Sequence, residues 1–161
     1  MRKLLSLKHW QLFLLLLTGA WVSPSPLREI INSIALATLL LWTYSVVIYG
    51  HEKLRSKNIH CPLNSTFFRI NIIAVALLYP FVIFDFSYGD SINLFDIFIA
   101  LCGLYLLFGL LYATAMAAKT IESLAKGKEA HFADYSLSFF LFLFSIVGVW
   151  IIQPKVNKLI N

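Results

Sequence analysis

Long apolar runs separated by short polar stretches dominate the whole chain. Five such segments stand out, and they cover residues 10–22, 30–49, 70–86, 92–118 and 135–152. A membrane-crossing helix needs about 20 apolar residues, a length that the second and fourth segments reach and the third and fifth nearly reach. The first segment runs into Pro24 and Pro26, which cannot donate backbone hydrogen bonds, so it predicts a short or tilted helix.

This pattern predicts an all-α fold, a single polytopic transmembrane helix bundle of four membrane helices with the short first helix as a fifth. Composition agrees, because 60% of the residues are hydrophobic and 13% are charged, whereas soluble domains average about 45–50% and about 25%. Thirteen basic and eight acidic residues are too few to cover a soluble globule. We therefore expect the apolar excess to face membrane lipids.

The N-terminal segment also has features of a secretory signal peptide. Three basic residues precede its apolar run, and small residues follow at Thr18, Gly19 and Ala20, as in a cleavage site. Bulky Trp21 and the four later apolar segments favour a retained helix. Cleavage is the alternative.

Basic residues are concentrated in the second and fourth loops. Since Lys and Arg in short loops are held on the cytoplasmic side, five crossings place the N-terminus in the cytoplasm and put Lys155 and Lys158 outside. We expect this arrangement. In the alternative, a last segment that breaks near Gly148 re-enters the membrane and returns both lysines to the basic side.

Acidic and amide side chains surround the turn between the third and fourth segments. Asp85 and Asp96 flank this turn, and Asn93 lies three residues before Asp96 on the same helical face. Because ionisable groups at membrane depth are costly and mark ion or proton routes, these three residues form a candidate ion pathway. Helix capping and contact with interfacial water are the alternative interpretation.

Small residues recur at four-residue spacing in the fourth segment, at Gly109, Ala113 and Ala117. They predict a narrow helix face where another backbone packs closely, and that backbone belongs to this chain, a second copy or another membrane protein. Pro80 interrupts the third segment and predicts a kink, because it leaves the carbonyl of Ala76 without its helical donor.

The chain has no visible cofactor, metal or catalytic motif. It contains no phosphate-binding glycine loop, its four His and two Cys do not pair at metal spacing, and Ser136, Ser138 and Ser145 lack a paired base. The basic residues form short clusters without a continuous face, which disfavours nucleic acid. The leading hypothesis is a non-enzymatic component that associates with other membrane proteins; the alternative is a small transporter.

Three stretches carry a resemblance to a known family: LKHWQLFLLL near the start, AAKTIESLAKGKEAHFADYSLSFF after the fourth segment, and GVWIIQPKVNKL at the end. The chain resembles small, uncharacterised integral membrane proteins of Bacteroidota. This resemblance implies a bacterial inner membrane, and it implies no catalytic or ligand residue.

Overall fold

The computed structural model describes residue 5 and residues 7–21, 27–61, 64–85 and 94–160. Across these residues the chain forms six α-helices and no strand, so the prediction of an all-helical fold is confirmed. In chain order the helices are α1 (His9–Trp21), α2 (Leu27–Ser56), α3 (Ser65–Asp85), α4 (Leu94–Lys126), α5 (Phe132–Leu143) and α6 (Ser145–Ile160).

Three of these helices are long and apolar enough to cross a membrane. They are α2, α3 and α4, which qualify over Ile30–Ser56, Ser65–Val82 and Leu94–Lys126. The sequence predicts four long spans, and the described residues contain three. Helix α1 has 13 residues and is about 20 Å long, so it is shorter than the hydrocarbon core of a bilayer, which is about 30 Å thick.

The last apolar segment, 135–152, contains two helices where the sequence predicts one span. Phe144 separates α5 from α6 and has φ −89° and ψ 53°, angles outside the helical range. The two backbones meet so closely that a Cβ at Gly148 would overlap the carbonyl of Leu141. An apolar run has the same composition whether the chain continues or turns back, so hydropathy cannot detect this break.

Every helix contributes to one apolar core. Helix α4 packs against α2, α3 and α5, and α1 packs against α2 and α6. The small residues Ala113 and Ala117 of α4 are fully buried in this core, and small side chains let neighbouring backbones approach closely. The larger fully buried side chains are Leu12, Trp42, Phe68, Phe142 and Ile152.

Helices α2 and α4 are each followed by a residue in the left-handed conformation. Asn58 has φ 56° and Gly127 has φ 67°, and both residue types adopt this conformation readily at helix ends. The chain turns at Gly127. After it, the Asp134 carboxylate accepts the backbone N–H of His131 at 3.1 Å, which helps to start α5.

Candidate functional site

A buried carboxylate joins the last three helices. Glu122 lies one turn before the end of α4 and is 8% exposed. Its Oε1 atom accepts hydrogen bonds from the hydroxyl of Ser138 on α5 and from the ammonium of Lys155 on α6. We refer to these three residues as the Glu122 clasp.

The buried negative charge of Glu122 explains why a lysine and a serine accompany it. A carboxylate removed from water is costly unless it is paired and hydrogen-bonded. Lys155 supplies the opposite charge and Ser138 a second donor, while the Lys155 side chain keeps about a third of its surface exposed. Because both donors meet the same oxygen, the clasp holds the two short helices α5 and α6 against α4.

A second buried polar group lies two residues earlier on α6. The indole Nε1 of Trp42 donates to the Gln153 side-chain oxygen at 2.8 Å, and since an indole N–H can only donate, this bond identifies the amide oxygen. The Gln153 Nε2 atom lies 2.9 Å from the carbonyl of Leu5, 3.0 Å from that of Leu7 and 3.1 Å from Asn157 Oδ1. These residues form the Gln153 junction.

The Gln153 junction ties three distant parts of the chain together. Trp42 belongs to α2, Gln153 to α6, and Leu5 and Leu7 to the segment that precedes α1. Trp42 and Gln153 are both fully buried. The Gln153 amide donates to the carbonyls of Leu5 and Leu7 inside the protein, where buried backbone carbonyls require hydrogen-bond partners.

Two ion pairs, one of them half-buried, close the connection between α4 and α5. Lys119 contacts Glu129 at 2.7 Å, and Lys126 contacts Asp134. Together with the Glu122–Ser138 bond, they show that α5 runs back along the end of α4. The hydrogen bond from Lys119 lowers the pKa of Glu129 below its usual range, and the charges of His60 and His131 act in the same direction.

A cysteine and a serine are buried beside this connection. The Ser123 Oγ accepts the backbone N–H of Ala130 at 3.0 Å and lies 4.0 Å from Cys61 Sγ. Burial is the main cause that raises the pKa of the Cys61 thiol, partly offset by the hydrogen bond with Ser123. Cys61 and Cys102 are both free.

The residues of the predicted packing face lie inside the chain. Gly109 faces α3, where a Cβ added to it would overlap the Val75 side chain. The carbonyl of Gly109 accepts a hydrogen bond from Asn71 Nδ2 at 3.1 Å, and Tyr105 donates to Asn71 Oδ1 at 3.2 Å. Ala113 belongs to the core, as does Ala117. The partner of this face is therefore the chain itself.

The described residues include only part of the candidate ion pathway. Asn93 and the side chain of Asp85 lie outside the described residues, and Asp96 is half-buried in the first turn of α4. The pathway stays a prediction.

Pro80 lies inside α3, which continues to Asp85. Within the described part of the chain, no group of three or more His, Cys, Asp or Glu side chains is placed to hold a metal ion.

One feature of the sequence other than hydropathy indicates that Glu122 has a partner. A negative side chain near a helix C-terminus is disfavoured by the helix dipole, so Glu122, four residues before the end of α4, needs a positive partner. That signal predicts a partner without identifying Lys155, because the two residues meet only after the chain turns at Phe144.

Comparisons with protein-family models, curated proteins and solved structures give no match to this chain.

Proposed function

We propose that this chain is a non-enzymatic integral protein of the bacterial inner membrane that functions by associating with other membrane proteins. Three helices of sufficient length and apolarity support the membrane location. The resemblance to small membrane proteins of Bacteroidota supports the inner membrane. The main support for association is an apolar surface on α4 that is exposed in the described part of the chain.

This surface occupies the first half of α4. Leu94 is 86% exposed, Leu104 65% and Leu101 59%, and together with Phe98 and Phe108 they share one side of the helix. We refer to these five residues as the outer ladder. Gly109 and the alanines after it pack within the chain, whereas the outer ladder stays exposed among the described residues, so we assign association to the outer ladder.

The outer ladder has the chemistry of a helix-packing surface. Association of helices in lipid depends on close van der Waals packing, and large, semi-rigid Phe and Leu side chains at spacings of three and four residues present a continuous ridge. A membrane helix of a partner that places small residues against this ridge would bury it. Lipid chains alone are the competing occupant.

The basic residues support an orientation with the N-terminus in the cytoplasm. Lys126 and Lys128 follow α4, and Lys155 contacts Glu122 near the same end. The N-terminal segment meets Gln153, two residues from Lys155. Since basic residues are held on the cytoplasmic side, the N-terminal segment begins on that side in this proposal.

Site-specific photo-crosslinking tests the proposed association. A benzophenone amino acid is introduced at Leu104 of α4 or, as a matched control, at Leu77 of α3, which is 64% exposed. Both variants are expressed at the native level, irradiated in intact membranes and analysed by mass spectrometry. We expect protein adducts from position 104 and only lipid adducts from position 77. Lipid adducts alone at both positions would contradict the proposal.

A further inference from the structure

We infer that α5 and α6 form a re-entrant hairpin, which dips into the bilayer from the basic side and returns to that side. The inference rests on the proposed membrane location. It concerns a separate surface from the outer ladder, and its partner is the hydrocarbon of the lipid. It also places the end of α6 on the cytoplasmic face.

The contacts of α5 and α6 require a reversal of the chain. Ser138 and Lys155 bind the same oxygen of Glu122, although 17 residues of straight helix would separate them by about 25 Å. The second pair of contacts lies on Trp42, whose ring centroid is 5.0 Å from that of Phe142 and whose Nε1 is 2.8 Å from the oxygen of Gln153. The two helices therefore run back along one another.

The position of Glu122 identifies the side from which the hairpin enters. Glu122 lies four residues before Lys126, at the end of α4 that leads into the basic connection. Lys155 meets Glu122 there, so the second arm returns to the end from which the first arm departs. Helix α5 has 12 residues, about 18 Å of helix, and cannot cross a hydrocarbon core of about 30 Å.

The turn of the hairpin is suited to lipid. Phe144 and Val147 are each 66% exposed, and Phe140 is 51% exposed. The backbone bonds continue around the turn, because Phe144 N–H donates to Phe140 O and Gly148 N–H donates to Phe144 O, both at 2.8 Å. A backbone in hydrocarbon must satisfy its polar groups internally; these two bonds pair part of the backbone at the turn, which presents large apolar side chains.

The exposed surface of the turn matches the lipid-facing surface of the long helices. Leu77 and Phe81 on α3 and Leu107 on α4 are exposed in the same way. The occupant that fits all of these surfaces is the bilayer interior. The Glu122 clasp then lies near the headgroup level, where the partly exposed Lys155 can still reach water.

Cysteine labelling tests the hairpin in the full-length chain. In a background with Cys61→Ala and Cys102→Ala, single cysteines replace Lys158 on α6, Lys128 after α4 or Ser91 between α3 and α4. A charged maleimide that does not cross membranes is applied to intact cells and to inverted vesicles. We expect Lys158→Cys to be labelled from the same face as Lys128→Cys, and Ser91→Cys from the opposite face.

The other outcomes have distinct meanings. Labelling of Lys158→Cys from the face of Ser91→Cys would overturn the hairpin and leave the membrane location intact. Labelling of Ser91→Cys and Lys128→Cys from one face, or of all three from both faces, would overturn the membrane arrangement and the hairpin with it. Retention of thermal stability by the cysteine-free parent confirms that the labelled protein is folded.

A fourth cysteine tests the depth of the turn. Val147→Cys is expected to resist the charged maleimide from both faces in sealed membranes and to react after detergent solubilisation, because it lies in hydrocarbon. Rapid labelling of Val147→Cys from the face of Lys158→Cys would show that the helix pair lies on the membrane surface, and would overturn its insertion.

Discussion

The indole of Trp42 and the side-chain amide of Gln153 are separated by 111 residues of sequence, yet they share a 2.8 Å hydrogen bond in which both side chains are fully buried. The same amide contacts the carbonyls of Leu5 and Leu7. The Gln153 side chain therefore links the segment before α1, α2 and α6, and it adds a polar connection to the apolar packing of α1 and α6 against α2.

Replacing Gln153 with Ala should destabilise the fold strongly. The substitution removes the acceptor of the buried Trp42 N–H and one donor to the carbonyls of Leu5 and Leu7, and an unsatisfied buried polar group costs about 1–3 kcal/mol. We expect a marked fall in the thermal unfolding temperature of the protein in mild detergent. Gln11→Ala is the matched control, since the hydrogen bond that the Gln11 side chain accepts, from the backbone N–H of Lys8, is exposed; an equal fall in both variants would contradict the role of the Gln153 junction.

Replacing Glu122 with Gln should weaken the attachment of α5 and α6 to α4. The Lys155 ammonium would lose its counter-charge in a partly buried position. Loss of one partner costs about 3–5 kcal/mol for a fully buried pair and under about 1 kcal/mol for an exposed one. Because the Lys155 side chain is 32% exposed, we expect about 1–3 kcal/mol, measured as the free energy of unfolding in denaturant.

A double-mutant cycle separates the ion pair from general packing. Glu122→Gln, Lys155→Met and the double variant are compared with the parent. We expect the double variant to lose less stability than the sum of the two single losses, because the second substitution removes a charge that is already unpaired. Additive losses would mean that the contact seen between these side chains contributes no coupling.

The half-buried pair Lys119–Glu129 should make the stability of the fold decrease at acid pH. The hydrogen bond from Lys119 lowers the pKa of Glu129 in the folded chain, so this carboxylate stabilises the fold above its unfolded pKa, and the contribution is lost as the pH falls through its folded pKa. Glu129→Gln should therefore reduce the unfolding temperature near neutral pH. Below the folded pKa of Glu129 the variant and the parent should converge, and a difference that is constant with pH would contradict this assignment.

Hydropathy predicts the helical part of this fold well, because long apolar runs have few other ways to satisfy their backbone. The segment 30–49 falls within α2, and the described part of the segment 92–118, from residue 94, falls within α4. The four-residue spacing of Gly109, Ala113 and Ala117 also predicts a close-packed face, since small side chains at that spacing expose the backbone along one side of a helix. These are local properties of the chain.

The Glu122 clasp and the Gln153 junction could not be predicted from local sequence patterns, for a physical reason. Ser138 considered alone lacks a base, and Lys155 considered alone indicates only a membrane face. Their shared partner, Glu122, becomes visible once the chain reverses at Phe144, where a single residue leaves the helical conformation. Hydropathy averaged over a window of residues does not change when a single residue leaves the helical conformation. The contacts of Gln153 connect elements that lie far apart in the sequence, and the spacing of apolar positions describes only neighbouring residues.

The glycines provide a test of the reversal between α5 and α6. Gly148→Ala should lower the unfolding temperature or the yield of folded protein, because its Cβ would overlap the carbonyl of Leu141, a backbone atom that cannot rotate away. Gly109→Ala should destabilise less than Gly148→Ala, since its Cβ would overlap a side-chain methyl of Val75 instead of a backbone atom, but Val75 is buried and stiff, so a loss is still expected. Gly103→Ala is the control: no atom lies within 4 Å of its added Cβ, and alanine favours helix over glycine by about 1 kcal/mol, so stability should hold or rise. If Gly148→Ala behaves like Gly103→Ala, the close contact of the two arms is absent and the chain does not turn back at Phe144.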